Sequence, residues 1–170
     1  MADEITGNGQ GNPTAAPGFD ASQQQMIVNA QYIKDLSFEN PNAPKSLLQP
    51  AGQPSVEINV DVKGTNIGPD LFEVVLTINT AAKVQDETVF LVELAYAAVV
   101  TVRNVPEALL PSVVLVETPR LIFPFARNII ADAVRDGGFP PLMINPIDFS
   151  ALLQRQQSSG GQMPAGAANA

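Results

Sequence analysis

The sequence of 170 residues contains no cysteine and no histidine. The lack of cysteine excludes disulfides, thiolate metal sites and thiol nucleophiles. The lack of histidine excludes the commonest general base, the serine–histidine catalytic triad and most zinc sites. Carboxylates are therefore the only plausible acid–base groups, which argues against an enzyme.

Basic residues are also scarce, because nine Lys and Arg face seventeen Asp and Glu for a net charge of -8. This charge repels phosphate backbones, so the sequence predicts no nucleic-acid partner and favours a basic protein partner. Long apolar runs are missing too. The most apolar stretch, residues 89–102, carries Glu93 and is too short and too polar to span a membrane.

The two ends of the chain differ from its middle. The first 18 residues are acidic and lack an apolar centre, unlike a signal peptide, so we expect a cytoplasmic protein without membrane insertion. Residues 1–24 and 158–170 lack apolar periodicity, which predicts two disordered tails. Residues 25–157 are long enough for one domain with a hydrophobic core.

Apolar residues recur at every second position in several segments, as in antiparallel strands with one solvent-exposed face. Turn-forming residues separate these segments at Gly-Pro-Asp and at Gln-Asp. The alternation predicts four strands, at 26–39, 56–63, 71–80 and 88–103.

The first and fourth predicted strands carry the most information. In the first strand, the even positions from Met26 to Phe38 are expected to share one face, and the odd positions, including Asp35 and Glu39, the other. The fourth strand is apolar on both faces, so both faces are expected to be covered by the protein itself or by a partner chain.

Helical spacing follows in TPRLIFPFARNIIADAVRDGG. Thr118 is a candidate N-cap, Pro119 suits the first helical position, and Gly137 with Gly138 suits the end. Pro124 lies inside the pattern, so the helix is expected to kink or to begin there. The apolar stripe is wide for so short a helix, which predicts burial on more than one side.

A second helix is predicted in DFSALLQRQQ, with Asp148 as a candidate N-cap. Four strands followed by two helices indicate an α+β fold with a segregated sheet. A lone four-stranded sheet with two helices buries little of this much apolar surface, which favours self-association.

The pair Asp35 and Glu39 allows three interpretations. The two residues lie about 13 Å apart along one strand face, beyond the separation of about 5–9.5 Å found in paired-acid glycosidases. A solvated strand face is the interpretation that spacing favours, ahead of a binding surface and of a catalytic pair.

Several long stretches resemble one family, the bacterial export chaperone SecB. The two most specific stretches are DLSFENPNAP, and FPFAR followed by GGFPPL. The likeness continues through LFEVVLTINTAAK and ETVFLVELAYAAV and covers about residues 26 to 155. Both specific stretches are long and free of gaps.

The resemblance implies a four-stranded antiparallel sheet followed by a long helix and a shorter C-terminal helix. It also implies a homotetramer, built as a dimer of dimers with the long helices between two eight-stranded sheets. The implied function is to hold unfolded secretory precursor proteins in the cytoplasm and to pass them to the SecA motor. No ATP, other cofactor or metal is implied.

The resemblance also assigns residues by position. The acids Asp35 and Glu39, with Leu91 and Glu93, correspond to contacts with SecA, and their odd positions place them on the outer sheet face. The predicted oligomer interface comprises Val92, Leu94 and Tyr96 on the fourth strand and Ile122, Phe125 and Ile129 on the long helix.

The client groove is expected between the C-terminal helix and the loop that joins the first two strands. Its candidate lining residues are Leu47, Leu48, Phe149, Leu152 and Leu153. Two alternatives remain: a solitary SecB-like chaperone for another client, such as an antitoxin, and an enzyme or small-ligand binder built on the sheet.

Overall fold

Four strands form one antiparallel sheet in the spatial order β1-β4-β3-β2. The computed structural model describes residues 24–48 and 52–159, so the predicted tails lie almost wholly outside the described residues. The strands are β1 (Gln25–Glu39), β2 (Ser55–Gly68), β3 (Leu71–Val84) and β4 (Glu87–Arg103). A short helix, α1 (Lys45–Leu48), lies between β1 and β2.

Two longer helices follow the sheet. Helix α2 is a continuous helical stretch over Glu107–Asp136, and helix α3 covers Phe149–Ser159. The predicted α+β fold, with four antiparallel strands before a long and a shorter helix, is therefore confirmed. Helix α3 extends two residues beyond the expected domain end at residue 157. The dimer of dimers stays a prediction.

Both predicted turns are present. Asp70 has a φ of 56° in the turn between β2 and β3. Gln85 and Asp86 have φ values of 49° and 67° between β3 and β4. Two successive residues with positive φ form the tight hairpin whose twist matches that of the flanking strands.

The simple alternation predicted for β1 is wrong in its middle. The pairing of β1 with β4 shifts between Val28 and Ala30 and again between Ile33 and Asp35, which leaves Asn29 and Lys34 as extra residues. Each extra residue forms a β-bulge that reverses the face of every following side chain. Tyr32 is thereby moved from the predicted inner face to the outer face.

The second bulge restores the predicted faces beyond Lys34. Leu36 and Phe38 pair with Leu94 and Val92 on the inner face, as expected. Asp35 and Glu39 lie on the outer face, also as expected. The sequence pattern was correct at both ends of β1 because the two bulges cancel.

Helix α2 begins earlier than predicted. It starts with a 3₁₀ turn at Glu107–Leu109, and a π-helical segment at Val113–Glu117 precedes the regular part, Thr118–Asp136. The residues before Thr118 are already helical, so its predicted role as an N-cap is wrong. The helix continues through Pro124 and ends before Gly137, the predicted stop.

Pro119 explains the π-helical segment. Proline has no N–H to donate to the carbonyl four residues earlier, and its ring collides with that carbonyl. The helix widens instead: the N–H of Thr118 donates to the carbonyl of Val113. The hydroxyl of Thr118 donates to the same carbonyl at 3.0 Å, so this buried side chain stabilises the widened turn.

The core lies between the inner sheet face and α2, which packs mainly on β4 and β3. Helix α3 contacts the π-helical segment of α2 and begins with the predicted N-cap, because the Asp148 carboxylate accepts a hydrogen bond from the N–H of Ala151 at 3.0 Å. The largest fully buried side chains include Leu76, Ile78, Leu94, Ile122, Ile130 and Phe149.

By length and composition alone, α2 could cross a membrane, a property that the sequence analysis did not recognise. One such helix says little about membrane insertion, because core helices of soluble proteins share these properties. In this fold, the inward side chains of α2, such as Ile122 and Ile130, are fully buried.

The close approach of α2 to β2 depends on Gly64. A Cβ atom at Gly64 would lie 2.6 Å from Cγ1 of Val114 and 3.1 Å from Cδ2 of Leu115. We expect Gly64→Ala to lower the free energy of unfolding by about 1–3 kcal/mol through overpacking, as measured by urea denaturation.

The matched control is Gly68→Ala on the same strand, where a Cβ atom would meet Leu71 only at an ordinary 3.8 Å. This variant is expected to stay close to the parent in stability. Equal stability of the two variants would contradict the proposed overlap.

Candidate functional site

A largely apolar cavity of about 670 Å³ opens at the end of the sheet where α2 stops. One wall is formed by residues within 42–46 and 52–54, between β1 and β2, and the opposite wall is the segment that follows α2. Its lining includes Val56, Val84, Val89, Phe90, Phe139 and Leu142, with Asn42, Lys45 and Glu87 among its polar residues. The volume is within the usual range of about 300–1,000 Å³ for ligand sites.

Two aromatic rings, Phe90 and Phe139, line the floor of this cavity, and Phe38 contacts Phe90 outside the lining. The Phe90 ring stacks on Phe38 with 6.1 Å between centroids, and it contacts Phe139 with 5.2 Å between centroids. Ring separations of this size are typical of favourable aromatic pairs. Phe90 is almost completely buried, so the floor is anchored in the core of the protein.

Polar contacts hold the β1–β2 loop over the start of β4. The side-chain amide of Asn42 donates to the carbonyl of Thr88 at 2.8 Å, and Lys45 lies 3.8 Å from the carboxylate of Glu87. Leu47 packs against the backbone of Gly138, where a Cβ atom would lie 3.0 Å from its Cδ2. Gly138 has a φ of 91°, which favours glycine at this contact.

The structure separates the five residues predicted for the client groove. Leu47 joins the loop to the end of α2, and Leu48 is 76% exposed. Phe149 is only 1% exposed, because it packs edge-on against Phe123 in the core. Leu152 and Leu153 are half-buried against the same core. None of the five is among the lining residues of the cavity, so their contact with clients stays a prediction.

Phe90 and Phe139 were not predicted from the sequence to line a cavity. Phe90 belongs to an apolar strand, where alternation alone assigns it to the core. Phe139 begins the FPPL segment just after the glycine stop of α2. An aromatic residue in a proline-containing loop was the one sequence feature that could have indicated a cavity residue here.

The four predicted motor contacts lie close together on the outer face. Glu39 pairs with Leu91, and Ser37, between the two acids of β1, pairs with Glu93. On the far side of β4, Leu91 and Glu93 pair with Ala81 and Asn79 of β3. These four side chains form the acidic patch, defined as Asp35, Glu39, Leu91 and Glu93.

No basic side chain neutralises the acidic patch among residues 24–48 and 52–159. The ion pairs on this sheet face involve other acids, such as Glu73 with Lys34 and Glu57 with Lys83. Unpaired carboxylates around a partly exposed leucine suit a basic protein surface with an apolar centre. In the same described ranges, no cluster of three or more acidic side chains is arranged to hold a metal ion.

A second polar cluster lies on the outer face beside the bulge at Lys34. The Lys34 ammonium donates to both carboxylate oxygens of Glu73, at 2.8 and 2.9 Å. The Tyr32 hydroxyl donates to the same carboxylate. These hydrogen bonds, first from Lys34 and then from Tyr32, lower the pKa of Glu73. The bond to Glu73 raises the pKa of Tyr32.

Comparison with known proteins identifies the family of this chain. The sequence matches the SecB family, described as preprotein translocase subunit SecB, over residues 20–160. The chain belongs to the SecB family. SecB proteins are protein-export chaperones, and theirs is not an enzyme family.

Individual SecB relatives match this chain in sequence over most of their length. The protein-export protein SecB of Xanthobacter autotrophicus is 52% identical over 157 residues, which cover 92% of this chain and 96% of that relative. The protein-export protein SecB of Rhodospirillum rubrum is 51% identical over 157 residues, with the same two coverages.

A solved structure shares the fold. The SecB-like chaperone of Mycobacterium tuberculosis, in complex with a peptide from an antitoxin, aligns with a TM-score of 0.60 and 15% identity. The alignment covers 72% of this chain and 90% of that chain.

The residues predicted for the SecB oligomer interface divide into two groups. Val92, Leu94, Tyr96 and Ile122 are already buried inside the single chain, and Ile129 is half-buried. Only Phe125 is well exposed, at 54%. Other exposed apolar side chains include Leu121 on α2 and, on the inner face of β1, Ile33 and Leu36.

The cluster of Glu73, Lys34 and Tyr32 gives stability a defined pH dependence. Because the folded state lowers the pKa of Glu73 below its ordinary 4.5, this contribution is present above that value and is lost as pH falls through the folded pKa. Because the pKa of Tyr32 is raised above 10.0, the contribution of Tyr32 is lost as pH rises through the folded pKa.

We therefore expect Glu73→Gln to lower the melting temperature most near neutral pH, with a smaller difference from the parent below pH 4.5 and above pH 10. Calorimetry across this range checks the prediction. Glu57→Gln controls for the loss of one carboxylate on the same sheet face. A difference that is constant with pH would exclude the hydrogen-bonded carboxylate as its cause.

Proposed function

We propose that this SecB protein is a cytoplasmic export chaperone that holds secretory precursor proteins unfolded and delivers them to the SecA motor. The observation that carries the proposal is the open apolar cavity, with an aromatic floor, at the end of the sheet. Relatives about 50% identical over most of the chain are named protein-export proteins, which supports export as the purpose of holding.

The cavity has the chemistry that holding requires. An unfolded client exposes apolar and aromatic side chains, and many different sequences must be accepted. An apolar surface accepts them without a fixed hydrogen-bond pattern. Burial contributes about 25 cal/mol per Å² of apolar surface, so one cavity binds weakly, and several cavities acting on one client hold it tightly.

Several cavities per particle require an oligomer. Leu121 and Phe125, one turn apart on α2, and Ile33 and Leu36 on the inner face of edge strand β1 are exposed apolar residues. Apolar surface of this kind favours association with further copies of the chain. A homotetramer built as a dimer of dimers covers it and brings four cavities together.

Delivery requires a surface that does not compete with the client. The acidic patch lies on the outer sheet face, whereas α2 covers the inner face. Its carboxylates complement a basic partner, and electrostatic attraction of this kind increases the rate of encounter. Export is favoured over a non-export client such as an antitoxin, because the highly identical relatives are export proteins and the docking acids are present.

The first test measures client holding without ATP. The protein at stoichiometric amounts is expected to suppress aggregation of an unfolded secretory precursor, as followed by light scattering. Val56→Asn places an amide in the cavity wall and is expected to weaken holding at least severalfold, because the cavity loses apolar contact.

The matched control for holding is Ile67→Asn on the same strand. Ile67 is exposed and does not belong to the cavity lining. Equal holding by the two variants would remove the cavity from the proposal, and no suppression by the parent protein would overturn holding itself.

The second test concerns the SecA motor. Replacing both Asp35 and Glu39 by Lys reverses two charges of the acidic patch, so binding to SecA is expected to fall by at least about tenfold in a titration at low salt. Holding is expected to stay unchanged. Glu57→Lys with Glu107→Lys reverses two exposed charges outside the acidic patch and is expected to keep motor affinity. Similar losses in both double variants would contradict a localised docking surface.

The third test measures the mass of the particle. Sedimentation is expected to give four chains, whereas Leu121→Asp with Phe125→Asp is expected to give smaller species, because buried carboxylates are costly at an apolar interface. Met143→Asp alters an exposed apolar residue outside α2 and is expected to keep the tetramer. A monomeric parent protein would refute the assembly.

A further inference from the structure

The strand that carries two acids of the patch does not match its partner in length. Between the pair of Met26 with Val102 and the pair of Phe38 with Val92, β1 contains two more residues than β4. The two surplus residues are accommodated as the bulges at Asn29 and Lys34. Pairing with β4 does not by itself fix the two bulges at Asn29 and Lys34.

Both ends of β1 are held by contacts on the inner face. At one end, the Phe38 ring stacks on Phe90 and covers Gly137, where any Cβ atom would overlap it. At the other end, Met26 packs against the hydrophobic core, and its sulfur contacts the Thr118 Oγ1 atom at 3.4 Å. The two extra residues of β1 must therefore lie between these ends.

The position of the second bulge decides which way Asp35 points. With the bulge at Lys34, Asp35 lies opposite Ala95 on the outer face. A bulge displaced beyond Asp35 would turn this carboxylate to the inner face, because each side chain changes face when the extra residue moves past it. Glu39 would keep its face, since Phe38 is anchored.

The cluster of Glu73, Lys34 and Tyr32 lies at this bulge. Glu73 belongs to β3, so its bonds to Lys34 and Tyr32 reach across the whole width of β4. The bonds cross the outer face of β4, where Val99 lies opposite Glu73 and the small, fully buried Ala97 lies opposite Tyr32. The Glu73 side chain is 18% exposed, so its charge-assisted bonds are partly shielded from water.

We propose that Glu73 is a positioning residue for motor docking: through Lys34 and Tyr32 it fixes the bulge in β1 and so keeps Asp35 on the outer face beside Glu93. This inference rests on the proposed docking of SecA at the acidic patch. Glu73 acts through Asp35 and does not itself belong to the patch.

The absence of cysteine from the sequence makes the face of Asp35 directly measurable. Asp35→Cys with Ala95→Cys places two thiols directly opposite each other, within reach of a disulfide only when residue 35 faces outward. Ser37→Cys with Glu93→Cys reports the neighbouring pair, which lies beside the anchor Phe38.

Adding Glu73→Ala is expected to lower oxidative cross-linking of the 35/95 pair about fivefold or more and to leave the 37/93 pair largely unchanged. Glu57→Ala, which removes an outer-face carboxylate paired with Lys83 at 3.6 Å, is the matched control and should change neither pair. Undiminished cross-linking of the 35/95 pair in Glu73→Ala overturns the proposal.

Binding to SecA then links the position of the bulge to docking. Glu73→Ala is expected to weaken motor binding about as much as Asp35→Asn and to add no further loss in the Asp35→Asn background. Client holding, which a general loss of folding would reduce, is expected to stay at the parent level. Exchange of the partners, Lys34→Glu with Glu73→Lys, is expected to restore motor binding.

The two measurements separate the inference from the function on which it rests. If Glu73→Ala abolishes the 35/95 cross-link but leaves motor affinity unchanged, Glu73 does fix the bulge and docking through Asp35 is refuted. If the variant loses client holding as well, Lys34→Met is used in its place. Motor loss that persists in the Asp35→Asn background overturns the positioning role.

Discussion

The packing of α2 on the inner face of a four-stranded sheet is the constraint on which the rest of the molecule depends. Leu76 and Leu94 of the sheet and Ile122 and Ile130 of the helix are fully buried in this layer. Each such side chain contributes about 1.5–3 kcal/mol through burial. One helix is narrower than four strands, so the layer leaves two apolar regions uncovered: the β1 side of the inner face, and the end of the sheet beyond Asp136.

Those two uncovered regions suit different tasks. The β1 side, with Ile33 and Leu36, is open apolar surface on an edge strand. The end of the sheet is walled by a loop on one side and by a proline-containing segment on the other, which makes it a cavity. We propose that the enclosed end binds the client and that the open β1 side is covered by association with further copies of the chain.

The outer face has the opposite character, and its order is set by polar contacts. Long side chains of β1 cross the outer face of β4, where Ala97 is fully buried, and reach Glu73 on β3. Beyond this cluster the carboxylates of the acidic patch have no basic partners among the described residues. One sheet thus separates an apolar side from an acidic side, and in the proposed function the client and the motor occupy them at the same time.

Local patterns in the sequence determined much of this protein: strand alternation, the turns at Asp70 and Asp86, the stop at Gly137 and the N-cap at Asp148 depend on neighbouring residues. The bulges of β1 were beyond such reasoning, because a surplus of two residues exists only relative to β4. The helical start at Glu107 was not predicted because Pro119 interrupts the regular α-helical pattern, and the π turn before it depends on hydrogen bonds of Thr118 that form only in the folded chain. Phe90 and Phe139 became cavity residues only through tertiary structure, which brings distant segments together and leaves one end of the sheet uncovered.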